Sequence, residues 1–304
     1  MRCETTSDPG EFWAAASEFL SADPVLNSVI ITNVLGRRSG AVTDPAPATY
    51  LTVLDDTGAV VGAAMRTPPF AVTVSSLPPG AAELAVDALL AACPDASGVI
   101  GPSATATACA TEWERRTDEI VTVRMQQRIY RLDVVRPPVQ PTGSMRRATK
   151  ADIDLIAAWG EAFHLEVEAG SVGAGPAEAG PAERHAVGPL SEEERALERR
   201  RAELRVGERR AYLWENGGEP VSYVGATNPA GGVVRVAPVY TPPDKRGRGY
   251  ASALVAGVSQ AALDAGATAC SLYTDLANPT SNKIYAAVGY RPVCDVTNYR
   301  FGDR

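Results

Sequence analysis

One succession of patterns occurs twice along the chain, and that repeat limits the fold more than any other feature. Residues 50–65 read as a strand, a glycine-containing turn and a second strand, and residues 212–226 repeat the pattern. A third strand follows each hairpin, over 70–75 and 233–241, and a proline-containing turn then leads into an alanine-rich helix. In the first copy that helix runs over 81–92. In the second, Leu254, Val255, Val258 and Ala262 mark one face and Gly266 supplies a stop. Each half also carries helices ahead of its hairpin. Thr149, Lys150, Ala151 and Asp152 resemble a capping box, with Ile153, Ile156, Ala157, Gly160 and Phe163 following at helical spacing. Ser191 to Glu194 opens a second, charged helix that extends to about Arg210.

A chain of 304 residues exceeds the usual single-domain size of about 100 to 200 residues, so two cores are expected. Arg136, Pro137, Pro138 and the following residues to Gly143 form the natural link, because prolines lack an amide donor. The expected domains are therefore 1–138 and 144–304. Residues 169–188 are rich in Gly, Ala and Pro and bury little apolar surface, which suits either a passive insertion or a lid over a site.

A formal net charge of -7 argues against a nucleic-acid partner, since such binding depends on Lys and Arg neutralising phosphates. Cys3, Cys93, Cys109, Cys270 and Cys294 are scattered without metal-ligand spacing, so no metal site is expected, and unpaired thiols fit a reducing cytoplasm. The first ten residues lack the apolar core of a signal peptide, and no apolar run approaches the roughly 18 residues of a membrane span.

The chemistry concentrates in residues 239–252. An apolar strand ends, a turn rich in glycine and cations follows, and an amphipathic helix begins. At such a junction several unpaired backbone N–H groups lie at the positive end of the helix dipole, which suits a phosphate or pyrophosphate. Gly247 and Gly249 permit close approach, and Lys245, Arg246 and Arg248 supply charge. The turn is neither a P-loop nor a dinucleotide fingerprint, and taken alone it could equally be a solvated turn.

Arg246, Gly247, Arg248, Gly249, Tyr250 and Ala251 resemble the first signature of the GCN5-related N-acetyltransferases. Downstream, Asn278, Tyr285, Gly289 and Tyr290 resemble the second: strand, Asn, helix, Tyr, then Gly-Tyr. The resemblance covers residues 144–301, and the first half only in strand and helix order. It implies two α/β units, each a mixed, mostly antiparallel sheet flanked by helices, with parallel strands splaying beside Val239, Tyr240 and Thr241. It also implies acetyl-coenzyme A as donor. Backbone groups of Val239, Tyr240 and Thr241 would hold the pantetheine arm and the acetyl carbonyl, and the amides of Gly247, Arg248, Gly249, Tyr250, Ala251 and Ser252 the pyrophosphate. Asn278 would bond the pantetheine or cap its helix. Tyr285 would be the general acid, since a phenol of pKa about 10 at the sulfur can protonate a thiolate whose thiol titrates near 8.5.

The first half departs from this pattern. Its turn after residue 75 has no cation and no second glycine, and residues 101–113 lack the Asn and Tyr pair, so this copy is expected to bind no acetyl-coenzyme A. Its resemblance would be to a degenerate copy, structural or forming one wall of the acceptor cleft. The strand 233–239 has no glutamate to act as base, which leaves Glu161, His164, Glu166 or water, while His185 lies in the low-complexity stretch. A small-molecule amine is the leading acceptor. A protein lysine or N-terminus, a peptide-forming transfer from charged tRNA, and a non-catalytic coenzyme A-binding module are the alternatives.

Overall fold

The computed structural model describes residues 1–42, 46–172 and 189–302. The chain divides into two compact units, Met1–Ile129 with Val293–Arg304, and Tyr130–Pro292. The first contains β1 (Arg2–Thr6), α1 (Pro9–Ala22), α2 (Ser28–Arg38), β2 (Thr49–Leu54), β3 (Val60–Arg66), β4 (Val72–Val74), α3 (Ala81–Ala92), β5 (Gly98–Pro102), α4 (Ser103–Arg116) and most of β6 (Ile120–Leu132). The second contains β7 (Ser144–Arg147), α5 (Ile153–Val172), α6 (Glu192–Gly207), β8 (Ala211–Asn216), β9 (Glu219–Ala226), β10 (Val233–Tyr240), α7 (Tyr250–Asp264), β11 (Ala269–Asp275) and α8 (Pro279–Val288). The last strand, β12 (Arg291–Gly302), begins in the second unit and ends in the first.

The two units repeat one topology. In the first, β1, β2, β3 and β4 pair antiparallel in turn, β4 then pairs parallel with β5, and β5 antiparallel with β12. In the second, β7, β8, β9 and β10 pair antiparallel in turn, and β10 pairs parallel with β11. Each unit is thus the mixed, mostly antiparallel sheet flanked by helices that the sequence implies. The expected hairpins, the α3 helix over 81–92 and the two capping boxes ahead of α5 and α6 are all present. Residues 133–143 carry no regular structure.

The compact units divide elsewhere than the expected 1–138 and 144–304. The boundary falls inside β6, and Val296 to Arg300 of β12 register with Pro102 to Gly98 of β5 in the first unit. A strand's partner is a long-range choice that no local pattern encodes. The linker of 136–143 therefore follows the boundary instead of forming it.

The first unit's core gathers Leu51, Val53, Val72, Val86, Leu89 and Trp113, with Phe301 stacked on Trp113 at 4.5 Å between centroids. In the second, Val224, Val234, Val236 and Leu272 on the sheet pack against Leu254, Val255, Val258 and Val288 of α7 and α8. On the opposite face α5 and α6 bury Ile156 and Ala202 against Leu213 and Tyr223. Among the described residues no helix is long and apolar enough to cross a membrane, and no cluster of His, Cys, Asp or Glu could hold a metal.

Arg146 fastens the entry of the second unit. Its guanidinium donates to both carboxylate oxygens of Asp152 at 2.8 and 2.9 Å and pairs with Glu215 on β8. Asp152 also accepts from the Thr149 amide and hydroxyl at 2.7 and 2.9 Å, closing the capping box. Chiefly through the Arg146 bonds, its carboxyl is held down at about 2. Charge-assisted bonds of this kind contribute about 2 kcal/mol, so Asp152→Ala should lower the thermal midpoint by roughly 4–8 °C at pH 7. Because the folded pKa lies below the unfolded value of about 3.9, this contribution is complete above about pH 4 and lost as pH falls through about 2. Thermal scans from pH 7 to pH 2 should therefore show wild type and variant converging only at the acid end.

Candidate functional site

The parting of two parallel strands organises the site. β10 registers with β11 at Val233, Val234 and Arg235, opposite Ala269, Cys270 and Ser271. Beyond Arg235 β10 continues to Tyr240 with β9 alone in register, while β11 runs on to Asp275. The cause is local. Between the pairs Val236–Ala226 and Val239–Val224, two residues of β10 face one of β9, so a bulge carries Ala237 and Pro238 opposite Gly225. Pro238 has no N–H to offer a neighbouring strand. Opposite it, a Cβ on Gly225 would meet the Ala237 carbonyl at 2.8 Å, so only glycine lets the bulge close onto β9.

Past the bulge the β10 backbone is held from the β9 side. Ser222, fully buried on β9, donates its hydroxyl to the Tyr240 carbonyl at 3.1 Å and lies 2.8 Å from the Thr241 hydroxyl. The Thr241 carbonyl accepts from Arg246 Nε at 2.8 Å. Ser222 escaped the sequence reading, because a serine inside a hairpin strand carries no motif.

A turn of 3₁₀ helix over Pro243–Lys245 follows, and then Gly247 and Gly249 take positive φ of 76° and 81°. Gly249 is the N-cap of α7 and offers no side chain to it, so the first amides of α7 have no acceptor within the helix. Among the described residues, a Cβ at Gly247 would meet nothing within 4 Å and one at Gly249 only Pro141 at 4.0 Å. The Tyr250 ring is buried and accepts from Asn216 at 2.9 Å, which leaves its backbone as the part that can reach a ligand.

The cations of the turn are unequal. Arg246 forms a two-point pair with Glu166 of α5 at 2.6 and 2.8 Å and lies 5.9 Å from the Tyr240 ring centroid. Lys245 reaches Glu219 at 3.3 Å, and Arg248 donates to the Asp244 carbonyl at 3.2 Å. Glu166 is therefore occupied as the anchor of Arg246. His164 lies on the α6 side near Glu194, whose carboxyl is held low chiefly by the Ser191 amide and hydroxyl. Glu161 sits half-buried on α5. His185 and residues 173–188 fall outside the described residues.

The second signature assembles at α8. Asn278 is the N-cap, its carbonyl oxygen accepting from the Ser281 amide at 3.0 Å, with Pro279 in the first turn. The capping reading of Asn278 is thus satisfied within the protein. Tyr285 is 7% exposed and packs edge-on to Tyr290 at 6.0 Å, and its hydroxyl makes no hydrogen bond among the described residues. Burial pushes its hydroxyl up to about 12. Tyr290 is tied to Ser259 through their hydroxyls at 2.8 Å. Gly289 closes α8 at φ 110°, and a Cβ there would come within 2.8 Å of the Val134 carbonyl.

Residues 181–290 match the Acetyltransferase (GNAT) family. The chain carries a GNAT domain. Solved structures extend the likeness of fold over the whole chain. A GNAT-family acetyltransferase from Colwellia psychrerythraea matches with 9% identity and a TM-score of 0.56, covering 100% of both chains. A tandem GNAT protein from the clavulanic acid biosynthesis pathway matches at 16% and 0.55, covering 99% of this chain and 98% of its own. A GCN5-related N-acetyltransferase from Sphaerobacter thermophilus matches at 15% and 0.55, covering 98% and 95%. No curated protein matches.

The two signature glycines should differ in what they tolerate. Gly247→Ala adds backbone strain without a clash and should cost about 1 kcal/mol. Gly289→Ala adds strain and forces the 134–136 segment away from α8, and should cost about 3 kcal/mol. Parallel thermal denaturation of the two variants checks the order.

Proposed function

We propose that the GNAT domain transfers an acetyl group from acetyl-coenzyme A to a primary amine, in the first instance that of a small molecule. One observation carries this reading: the open β10–β11 notch leads directly to a helix start whose amides have no acceptor within the helix. The amides of Gly247, Arg248, Gly249, Tyr250, Ala251 and Ser252 would take the pyrophosphate, assisted by Arg248 and Lys245. Val239, Tyr240 and Thr241 would hold the pantetheine and the acetyl carbonyl. Two of their carbonyls already accept from Ser222 and Arg246, so their N–H groups and second lone pairs would do that work.

In the reaction the amine nitrogen attacks the thioester carbonyl, the C–S bond breaks, and the thiolate must be neutralised. Tyr285 would supply that proton or a strong hydrogen bond. Its raised pKa keeps the donor form populated at neutral pH. Full transfer to a thiolate whose thiol titrates near 8.5 in water would be uphill by roughly 5 kcal/mol. Burial raises the thiol by the same desolvation and narrows that gap. Since Glu166 is paired, the amine's proton would leave through water, His164 or Glu161.

The first unit would bind no donor. Its β4 ends at Val74, where a Cβ on Gly101 would lie 2.5 Å from the Val74 carbonyl, so β4 and β5 stay together. The Leu77 amide then donates to Thr105 of α4 at 3.1 Å, tying the following segment across the strand ends. Among the described residues no such bond joins the 241–249 turn to α8. The five cysteines are free, which suits the reducing cytoplasm.

Calorimetry with acetyl-coenzyme A should give one site per chain, and Gly249→Asp should abolish it. Tyr285→Phe should keep the affinity and lose about a hundredfold to ten-thousandfold in thiol release. The wild-type rate should rise with pH as the amine loses its proton and stay flat to about pH 10, because Tyr285 remains protonated there. A Phe variant that binds and turns over like wild type would mean that protonation comes from elsewhere. Binding without turnover of any amine would leave a coenzyme A-binding module.

A further inference from the structure

Arg235 ends the β10–β11 ladder, one residue before the bulge, and has no counterion among the described residues. Its neighbours Val234 and Val236 point into the core under α7, so Arg235 points to the opposite face, beneath α5 and α6. Its Nη1 is shut off from solvent with no hydrogen-bond partner. The hydroxyl of Ser271, its partner across the ladder, is equally buried and unbonded. The hydroxyl of Tyr223 on β9 is buried as well, with Arg205 of α6 against it.

Arg205 lies along β9, its Cδ 3.1 Å from where a Cβ on Gly225 would stand, and it forms no ion pair among the described residues. The groups facing Arg235 are Tyr273 on β11 and this second guanidinium; burial and Arg205 both oppose its charge. Glu198 of α6 lies near Tyr223 but is paired with Arg201.

A buried guanidinium without a partner is destabilising, and a second cation adds to the cost. Two guanidiniums and two buried hydroxyls form a donor set suited to an oxyanion. The cluster sits at the base of the notch, on the face away from α7. We propose that Arg235, with Arg205, Ser271 and Tyr223, binds a carboxylate or phosphate group of the acceptor, so that the amines acetylated are those that carry an anion. This rests on the acetyl-transfer reading and adds the class of acceptor to it.

The test uses the full chain, with Arg235→Gln to remove the charge and Arg235→Lys to restore it. Thermal midpoints should show Arg235→Gln as stable as wild type or more so, with coenzyme A affinity unchanged. With coenzyme A saturating the turn, acetate or inorganic phosphate should raise the wild-type midpoint and leave that of Arg235→Gln unmoved. Thiol release is then compared within matched pairs, glycine against glycinamide and phosphoethanolamine against ethanolamine. Wild type should favour the anionic member of at least one pair by tenfold or more in kcat/KM, and the pair that responds separates carboxylate from phosphate. Arg235→Gln should erase the preference through KM, and Arg235→Lys should restore part of it.

A preference for neutral amines, a preference unaltered in Arg235→Gln, or a marked loss of stability in that variant would overturn the proposal. The two readings fail separately. Arg235-dependent anion binding without turnover of any amine would remove acetyl transfer and keep the anion site, whereas turnover confined to neutral amines would do the reverse.

Discussion

Backbone hydrogen bonding forces the geometry on which the rest of the second unit depends. A parallel strand must bond its neighbour or leave donors and acceptors unmade, and β10 abandons β11 after three residues because Pro238 lacks a donor and the bulge re-aims the chain. The protein compensates from the other side. Ser222 takes the Tyr240 carbonyl, Arg246 takes the Thr241 carbonyl, and Glu166 holds Arg246 in place. The open edge is therefore rigid on one side and unsatisfied on the other. The first unit shows the alternative solution of the same topology, with β4 cut to three residues and its exit tied to α4 by Leu77 and Thr105.

What could be read in the sequence follows from the range of each interaction. Helix starts are written within four residues, so the capping boxes at Thr149 and Ser191 and the helix over 81–92 were legible. The two hairpins were legible because their strands are adjacent and buried. The edge strands β1 and β7 were not, since Arg2–Thr6 and Ser144–Arg147 are mostly polar and pair on one side only. The pairing of β12 was hidden for a related reason: nothing within Arg291–Gly302 says that β5, far back in the chain, is its partner.

The site shows the same division. Gly247, Gly249 and Gly289 announce positive φ by being glycine, and all three adopt it. Pro238 was passed over as a cause of the splay, although a proline inside a strand signals a bulge or an edge. Ser222, Arg205 and Arg235 carry no such mark, because their meaning lies in what they face across strands and helices. The pairing of Glu166 with Arg246 was likewise hidden, as the partners are 80 residues apart.

A chain of net charge -7 can still present a cation to an anion, because what matters at short range is which charges lack a local partner. Arg146, Arg246 and Arg210 each have a carboxylate at hydrogen-bonding distance and act as fasteners of the fold. In the proposed function the attraction for an anion at the α7 start would fall to backbone amides, with Arg248 and Lys245 beside them. Arg235 and Arg205 are different in kind. The Arg235 Nη1 is shut off from water, half-buried Arg205 of α6 lies near it, and hydroxyls stand beside them. A protein that needed Arg235 only for packing would lose nothing by carrying a methionine there, and would gain the desolvation cost that a buried charge imposes. That a cation stands at this position on the strand, where a carboxylate base was sought, makes recognition of the acceptor a sounder role for this face of β10 than removal of its proton.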